Sequence, residues 1–598
     1  ISAGIAPSGI RIPHTIGRGQ HFTLNASAKG PLNRLKGTVH LRSEAGRLKL
    51  EADVRNLLDK RRDTEIGLRL GTAALDIGAV SGLQGLGRCD LYTEARGILR
   101  KEHPDIRIDS LKLGRLNAAG YDFRDITAKG HLNADGASLI FDSTDPNLMM
   151  SMDAEAAFSQ DGGKSLRLNA DLANLDLQKL GIDRKRGTSR TAMKINGNVK
   201  QNGKAVNGSV KIGNIRLWNN NGLTDLGDID FKLYNIAEEQ CLSIDSGFAD
   251  LFISGSGSIA EFAEDLQDIT TRRELPALYP DTKKDAIHGK YDLDLLMHDS
   301  RGLLSFVFPG LYIADSTRAT MSISRSGELV GNATSSRLAY GTTFIKDADL
   351  QFDNLGESLS VSLIGQNFKS GKFDLDRPDI SLLAKDNTLS ASLRFESFSL
   401  SGGSGELYAN GEFYRDSTNT LVIKARPLES YISAGNGVWD IGESDVVIRG
   451  KDVYVKGFRI SNGNQLISID GGISQERDDT LALSIKGLDL AQTDDFLPRS
   501  YGIRGTVDGK AMLTSRSGRA KGMLMDMRID SLKIGDTDAG SLQLASILED
   551  GGDDINIYLR NELEGRNPLY ATGMYFPDDG RIYLDAELDR LPLEIAGP

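Results

Sequence analysis

The sequence contains little cysteine, little proline and few aromatic residues. Of its 598 residues, two are cysteines, 15 are prolines and 6% are aromatic. Cys89 and Cys241 form no Cys-x-x-Cys motif and lie near no histidine cluster, so we expect no disulfide framework, no metal site and no cofactor. Because glycine is abundant, at 66 residues, while proline is scarce, we expect many tight turns between regular elements and not a disordered chain.

An excess of basic charge is also missing. The formal net charge is −12, and residues of both signs are interspersed along the chain, of which 26% is charged. Proteins that bind nucleic acid usually present a basic face to the phosphates. We therefore expect no nucleic-acid partner.

Long apolar runs are absent as well. The most apolar stretch, LLSFVFPGLYI (Leu303–Ile313), is shorter than the ~20 residues that cross a membrane as a helix, and Pro309 interrupts it. We therefore expect this segment to be soluble. Because the first residue is Ile1, we expect the start of the gene product, with any signal or anchor, to lie upstream.

Motifs of catalysis are not found. The seven histidines are scattered, and neither a His-Glu-x-x-His motif, a P-loop nor a Gly-x-Ser-x-Gly motif occurs. The Asp-x-Asp pair in YDLDLL (Tyr291–Leu296) fits the wet face of a strand better than a metal site. We predict that the protein is not an enzyme and has no catalytic or metal-binding residues.

The dominant pattern is an alternation of apolar and polar residues with a period of two. In RLKLEADV (Arg47–Val54), the apolar residues take every second position, and charged residues take most of the others. Side chains alternate between the two faces of a strand, so this pattern predicts strands that are apolar on one face and wet on the other. The residues that we expect to line an apolar groove are Leu48, Leu50, Val54, Leu166, Leu168, Leu172, Leu293, Leu295, Val453, Val455, Ile555, Ile557, Leu559, Ile582, Leu584 and Leu588.

Turn signals separate these strands at intervals of about ten residues, as in an antiparallel meander. Examples are NADG (Asn133–Gly136) and PDDG (Pro577–Gly580). One segment, Gly257–Leu275, has the apolar spacing of an amphipathic helix. Shorter helices are predicted at Leu175–Gly181, Leu488–Leu497 and Leu303–Phe308.

One phrase occurs twice, as RIDSLKLG at Arg107–Gly114 and as RIDSLKIG at Arg528–Gly535. Further pairs of similar segments occur in the same order, such as Asn174–Ile182 and Gly487–Leu497. A fixed order with variable spacing indicates that one structural unit is reused along the chain.

These patterns predict a mostly β fold. One-sided apolar strands must cover that side, and the meander continues almost from end to end without a linker. We expect an elongated, twisted antiparallel sheet that is folded lengthwise into a β-groove, with a few short helices. We divide the chain into a repetitive β-groove segment at 1–256, a helical interruption at 257–285 and a second β-groove segment at 286–598.

Several of these segments resemble the TamB/AsmA-like family of bridge-like lipid transfer proteins. The resemblance is carried by Gly87–Phe141, Ala425–Ser474 and Leu488–Gly522, where Gly505 and Gly509 stand where such repeats carry glycine. The motifs are degenerate, so their specificity comes from their number. The inner-membrane anchor of the family is missing, and so is a recognisable segment that would meet an outer-membrane barrel.

The resemblance implies a periplasmic "β-taco" in a Gram-negative envelope. Such a protein is anchored in the inner membrane by an N-terminal segment and reaches an outer-membrane barrel of the BamA/TamA class. Its groove would conduct phospholipids, bound by their acyl chains, between the two membranes during outer-membrane biogenesis. The alternative that the family implies is a chaperone-like scaffold for the assembly or secretion of outer-membrane β-barrel proteins, as part of a translocation and assembly module.

Two other interpretations are weaker. A β-helical adhesin would show closed coils of about 20–25 residues with stacked Asn or aromatic ladders, and these are not seen. Dry packing against another part of the sheet is the simplest explanation of any single apolar stripe. The sequence does not decide between dry packing and lipid contact for an individual residue.

Overall fold

The computed structural model describes most of the chain between residues 22 and 590. The gaps lie at 32, 58–61, 82–83, 100–103, 160, 184–186, 204, 221, 280–286, 357, 372, 399–401, 435–436, 476, 493–501, 517–518, 549–553 and 577–579. The structure is mostly β, with 72% of the residues in strands and 6% in helices. About 40 strands form a single long antiparallel sheet, which confirms the predicted fold class.

The chain divides into two compact units. The first unit comprises Ile1–Ile259 and Leu295–Pro309, and the second comprises Ala260–Asp294 and Gly310–Pro598. The segment predicted as a helical interruption at 257–285 therefore falls almost entirely within the second unit.

The first unit is a meander of long hairpins. Consecutive strands pair antiparallel, and the short β5 pairs beside β4 on the same neighbour. Its strands are β1 (Phe22–Lys29), β2 (Arg34–Ser43), β3 (Gly46–Arg55), β4 (Thr64–Ala73), β5 (Leu75–Asp76), β6 (Leu86–Leu99), β7 (Asp105–Ala118), β8 (Tyr121–Asn133), β9 (Gly136–Asp145), β10 (Leu148–Phe158), β11 (Lys164–Asp176), β12 (Arg190–Asn202), β13 (Ala205–Asn219), β14 (Gly222–Ile236), β15 (Glu239–Ser246) and β16 (Ala249–Gly255).

The second unit continues the same hairpin pattern. Several of its strands are interrupted, so that two short strands in a row do the work of one long strand. Its strands, beginning with one that crosses from the second unit into the first, are β17 (Tyr291–Met297), β18 (Leu311–Ile313), β19 (Arg318–Ile323), β20 (Leu329–Tyr340), β21 (Thr343–Asp353), β22 (Leu359–Ile364), β23 (Asn367–Ser370), β24 (Phe373–Asp376), β25 (Asp379–Lys385), β26 (Thr388–Phe395), β27 (Ser397–Phe398), β28 (Gly405–Arg415), β29 (Leu421–Pro427), β30 (Ser430–Ala434), β31 (Gly437–Ile441), β32 (Asp445–Arg449), β33 (Asp452–Asn462), β34 (Gln465–Ile473), β35 (Asp479–Asp489), β36 (Ile503–Arg516), β37 (Arg519–Ile534), β38 (Thr537–Leu548), β39 (Ile555–Glu562), β40 (Leu569–Phe576) and β41 (Arg581–Leu588).

The helices among the described residues are short. They are α1 (Ile77–Ser81), α2 (Ile259–Gln267), which continues as a π-helical turn (Asp268–Arg272), and α3 (Arg301–Val307), with 3₁₀ turns at Pro276–Leu278 and Leu490–Gln492. The predicted helices at Gly257–Leu275 and Leu303–Phe308 are therefore present in shorter form. None of the described helices is long and apolar enough to span a membrane.

The helix predicted at Leu175–Gly181 is wrong. β11 extends to Asp176, and a turn follows in which the Asp176 carboxylate accepts a hydrogen bond from the Lys179 backbone N–H at 2.9 Å. An aspartate that bonds its own local backbone favours a turn over a helix interior. At Leu488–Leu497, the strand runs to Asp489 and only a 3₁₀ turn follows, while 493–501 lie outside the described residues.

Irregular positions line up across neighbouring strands of the first unit. Register shifts occur at Met149/Met150 on β10, Leu172/Leu175 on β11 and Ala192/Lys194 on β12, each opposite the next. A β-bulge bends its strand and increases the local twist, so an aligned series bends the sheet along one line. We call this line the bulge line of the first unit. It runs close to the ends of the strands that face the turns at 145–148 and 219–222.

The repeated phrase is itself a bulge. In both copies, the Asp-Ser pair falls where the register shifts, between Ile108 and Leu111 on β7 and between Ile529 and Leu532 on β37. Asp109 and Asp530 also each pair with the arginine two residues earlier, at 3.1 and 2.7 Å. The sequence repeats because the same bend is built twice.

Two glycines that carry the family resemblance occupy positions that exclude a side chain. Gly505 has a φ of 141° and Gly509 a φ of 156°. A Cβ atom on either would lie within 2.9 and 2.4 Å of the carbonyl oxygens of Asp530 and Asp526. Close approach of the neighbouring backbone therefore requires glycine at both positions.

Candidate functional site

One face of the first unit carries no charged side chain along unbroken rows of paired residues. Residues directly opposite each other in a sheet point to the same face, so a row can be followed from strand to strand. One row extends over 14 strands, and a second, parallel to it, over 15. The first row is Leu35, Val54, Ile66, Gly97, Ile106, Leu132, Ala137, Ala156, Leu166, Val199, Gly208, Leu233, Leu242 and Ile253. The second is Ala28, Gly37, Ala52, Leu68, Ala95, Ile108, Gly130, Leu139, Ala154, Leu168, Gly197, Val210, Phe231, Ile244 and Leu251.

The opposite face is charged and wet. Cross-strand ion pairs join Arg69 to Glu94 at 3.2 Å and Arg96 to Asp109 at 2.7 Å, and side chains on both sides of these pairs are largely exposed. Such exposed pairs add little stability. Their consequence is specificity of register, because a slip by one residue would carry every charge to the uncharged face.

Burial along the uncharged face is graded from one strand end to the other. On β8, Ile126 near the bulge line is 8% exposed, whereas Leu132, at the end of the same strand, is 43% exposed. On β11, Leu172 is half-buried and Leu166 is 46% exposed. A dry sandwich buries the middle of each strand most deeply and exposes both ends. Here burial decreases in one direction, towards the turns at 133–136 and 158–164, which we call the open margin.

A polar network closes the sheet beyond the bulge line. Asp145 is fully buried, and its carboxylate accepts hydrogen bonds from the Tyr121 hydroxyl at 2.5 Å and from the backbone N–H groups of Arg124 and Asn147, both at 2.8 Å. Burial and this carboxylate raise the pKa of Tyr121. Sequence reasoning missed Asp145, and the only signal was its place in an Asp-Pro-Asn turn.

The second unit has rows of the same kind. One runs Phe458, Ile469, Leu483, Ala511, Met525, Ser546, Ile557, Gly573 and Leu584, again without a charge. Near the register shifts of β33, β35 and β36, the side chains of Trp439, Leu488 and Val507 form a buried cluster. The second unit therefore also buries one end of its uncharged face most deeply.

The predicted lining residues fall on these faces. In the first unit, Val54 and Leu166 share the first row, Leu168 lies in the second, and Leu48, Leu50 and Leu172 lie in the rows towards the bulge line. In the second unit, Ile557 and Leu584 share a row, and Leu559, Ile555, Ile582 and Leu588 flank it. Val453 and Val455 lie on the uncharged face of β33, and Leu293 and Leu295 alternate with charged residues on β17.

Exposure separates these residues into three groups. Ile555 is buried by the protein itself. Leu166 and the β41 residues Ile582, Leu584 and Leu588 are exposed. The others are half-buried, namely Leu48, Leu50, Val54, Leu168, Leu172, Leu293, Leu295, Val453, Val455, Ile557 and Leu559.

One part of the second unit is covered by residues 260–278, which we call the strap. The Arg415 guanidinium donates to the Ala277 carbonyl at 2.8 Å, and Asn387 bonds the strap twice, through its backbone N–H to Glu274 O and through its side chain to Ala277 N, both at 2.7 Å. The strap thus crosses the hairpin turns that follow β25 and β28. In the same unit, the paired residues Ile323 and Leu329 at a hairpin end are 1% and 0% exposed.

The strap is held at its start by a buried carboxylate. Asp265 is 1% exposed and accepts hydrogen bonds from the His288 backbone N–H at 2.9 Å and from its imidazole Nδ1 at 2.7 Å. The Asp265 carboxylate raises the pKa of His288, with smaller contributions from Glu261 and Glu264. The rings of Phe262 and Tyr291 pack edge to face beside this pair, with centroids 5.3 Å apart.

Hollows also occur over the charged face. One of about 490 Å³ is lined by His131, Glu155, Arg167 and Lys200, and one of about 900 Å³ in the second unit is lined by charges of both signs around Tyr454. A twisted sheet is saddle-shaped, so long side chains enclose shallow hollows on its wet face. These hollows offer no continuous apolar wall, and an apolar ligand would find one only on the uncharged face.

Reactive and metal-binding groups are sparse in the described part of the chain. Cys89 and Cys241 are buried free thiols, and burial raises the pKa of both. Among the described residues, no three His, Cys, Asp or Glu side chains come close enough to hold a metal ion.

Comparisons of the chain with protein-family models, with curated proteins and with solved structures return no match.

Proposed function

We propose that the protein is a hydrophobic β-groove that binds phospholipid acyl chains and conducts them between the inner and outer membranes of a Gram-negative envelope. The observation that carries the proposal is the graded burial of an uncharged face that extends over consecutive strands. Half-exposed leucine, isoleucine and valine side chains remain along its whole length in the first unit. A large exposed apolar surface of this kind marks a binding surface in a soluble protein.

The energetics favour acyl chains as the ligand. A phospholipid exposes about thirty CH₂ groups when it leaves a membrane, which costs on the order of 25 kcal/mol at ~0.8 kcal/mol per group. A continuous uncharged face removes much of this cost at every position. Because adjacent strands present similar residues, a bound lipid would meet no deep trap and no charge along a row. Binding and movement then require no covalent chemistry, which agrees with the prediction that the protein is not an enzyme.

The location and partners in this proposal follow from the resemblance to the TamB/AsmA-like family. In that setting the protein works in the periplasm, reaches an outer-membrane barrel of the BamA/TamA class, and is held at the inner membrane by a segment outside this chain. The uncharged rows support the lipid-binding part of the proposal and are silent on the membranes at either end.

The test is a lipid analysis of the purified protein with matched variants. Organic extracts of the wild-type chain, purified without detergent, are expected to contain phospholipid. Ala154→Asp places a charge in the second row between Leu139 and Leu168, and is expected to remove most of that lipid. Ser151→Asp places the same charge on the opposite face of the same strand and is the control. Lipid-free wild-type protein, or equal lipid in the two variants, would refute the proposal.

A second candidate is a scaffold for outer-membrane β-strands. All residues of β41 are exposed, and among the described residues β41 pairs only with β40. An unpaired strand edge is a template for adding a strand from another chain. Photo-crosslinking from the β41 edge in cells separates the candidates, because a scaffold would capture barrel precursors there and a lipid conduit would not.

A further inference from the structure

The uncharged face of the first unit has a constant depth. On β8, the four positions Leu132, Gly130, Ala128 and Ile126 lie between the turn at 133–136 and the bulge line. The ten strands β2–β4 and β6–β12 each carry at least four consecutive uncharged positions on this face. The residues change from strand to strand, but the number of uncharged positions does not fall below four.

This depth corresponds to one acyl chain. Six residue steps from Leu132 to Ile126, at ~3.4 Å each, give about 20 Å. One leaflet of a bilayer, which is one acyl chain deep, is about 15 Å thick, half of the ~30 Å hydrocarbon core. A typical membrane acyl chain therefore fits between the open margin and the bulge line.

The two ends of this depth differ in chemistry. At the bulge line, Ile126 and its cross-strand partner Ser143 are buried, at 8% and 4% exposure. At the open margin, Leu132 and Leu166 are exposed and are followed by polar turns that contain Asp135, Asp161 and Lys164. An apolar chain end suits the closed side, and a hydrated headgroup suits the polar turns.

We propose that each phospholipid binds the first unit with its acyl chains parallel to the strands, the chain ends at the bulge line and the headgroup at the open margin. This inference rests on the proposed function and adds the orientation of the lipid and a limit on chain length. A lipid in this orientation moves sideways from strand to strand, in steps of ~4.8 Å, at unchanged depth. The opposite arrangement, with chains lying across the strands along one row, would set no limit on chain length.

The orientation is tested on the wild-type chain, so that folding of a variant is not in question. Two phosphatidylglycerol probes are loaded, one with a diazirine at the acyl terminus and one with a diazirine in the headgroup, and crosslinked peptides are mapped. The terminal label is expected near Met150 and Leu172, and the headgroup label near Leu132 and Leu166. Similar maps for both probes would overturn the proposed orientation and leave the proposed function standing. No incorporation of either probe, together with lipid-free extracts, would overturn the proposed function itself.

Chain-length competition gives an independent readout. From an equimolar mixture, dipalmitoyl phosphatidylglycerol is expected to be retained about tenfold over the longer dierucoyl lipid, because the longer chains leave several CH₂ groups outside the face. Met150→Gln shortens the uncharged face from the bulge line and is expected to shift retention towards the dilauroyl lipid. Ser151→Gln, on the charged face of the same strand, is the control. Equal retention of all three lipids by the wild-type chain would contradict the proposal.

Discussion

The open margin of the first unit and the strap-covered hairpin end of the second unit have similar sequences and opposite exposure. Leu132 and Leu166 end their uncharged strands in solvent, whereas Ile323 and Leu329 end theirs in a fully packed environment. Both pairs alternate with polar residues in the same way. The difference comes from a neighbouring segment, the strap, and not from the strands. A period-two pattern therefore fixes which face is uncharged, but not whether that face is dry.

The largest expected effect would break this comparison by truncating a covered residue. Leu329→Ala removes a fully buried side chain and is expected to destabilise the second unit by about 3 kcal/mol, as for other buried leucines. Leu166→Ala removes a leucine that is nearly half exposed and should cost less than ~1 kcal/mol. Urea unfolding of the two variants measures both values. Equal costs would mean that the open margin is packed as tightly as the covered end.

The next effect concerns the anchoring of the strap. Asp265→Ala removes the acceptor of two hydrogen bonds from His288 and leaves the imidazole without its partner. Breaking a buried pair costs about 3–5 kcal/mol, and the partial exposure of His288 lowers the expected cost to about 2 kcal/mol. Hydrogen exchange should increase in α2 and leave β7–β12 unchanged. An unchanged α2 would show that Asp265 does not hold the strap.

A smaller effect follows from pH. Asp265 raises the pKa of His288 in the folded protein, so the charged imidazole is favoured by folding. The resulting stabilisation is fully present below the ordinary histidine pKa of ~6.5 and is lost as the pH rises through the raised folded pKa. Exchange in α2, corrected for its intrinsic rate, should therefore be faster at about pH 8.5 than at about pH 6. His288→Gln should remove this dependence, and a variant that kept it would assign it to another group.

The smallest effect is expected on the charged face. Arg69→Ala breaks the exposed pair with Glu94 and should change neither the urea midpoint nor the lipid content measurably. It serves as the control for the lipid-binding variants. A loss of bound lipid in Arg69→Ala would move the binding site from the uncharged face to the charged one.

The sequence predicted the strands and their uncharged faces well. Alternation in Arg47–Val54 and in Leu166–Leu175 is local, and each strand obeys it independently of its neighbours. Pairing then brings Val54 and Leu166 into one row, although they are far apart in sequence. The even spacing of the turns indicated a meander before any pairing was known.

Other features depend on partners that lie far away in sequence. The Asp-Ser pair of the repeated phrase is a bulge only because β8 and β38 offer fewer residues opposite it. Asp145 is buried by Tyr121 and Asn147, and nothing in the alternation marks it as a structural carboxylate. The strap was predicted as a helix, but its attachment to Asn387 and Arg415 joins residues more than a hundred positions apart.

The most direct test of the central claim is a crosslinking scan along β11. A photoreactive amino acid is placed in turn at Leu166, Arg167, Leu168, Asn169, Ala170 and Asp171, and crosslinked phospholipid is measured at each position. We predict a period of two, with lipid captured from Leu166, Leu168 and Ala170 and not from the residues between them. Capture without this alternation, or no capture at any of the six positions, would contradict an acyl-chain site on the uncharged face.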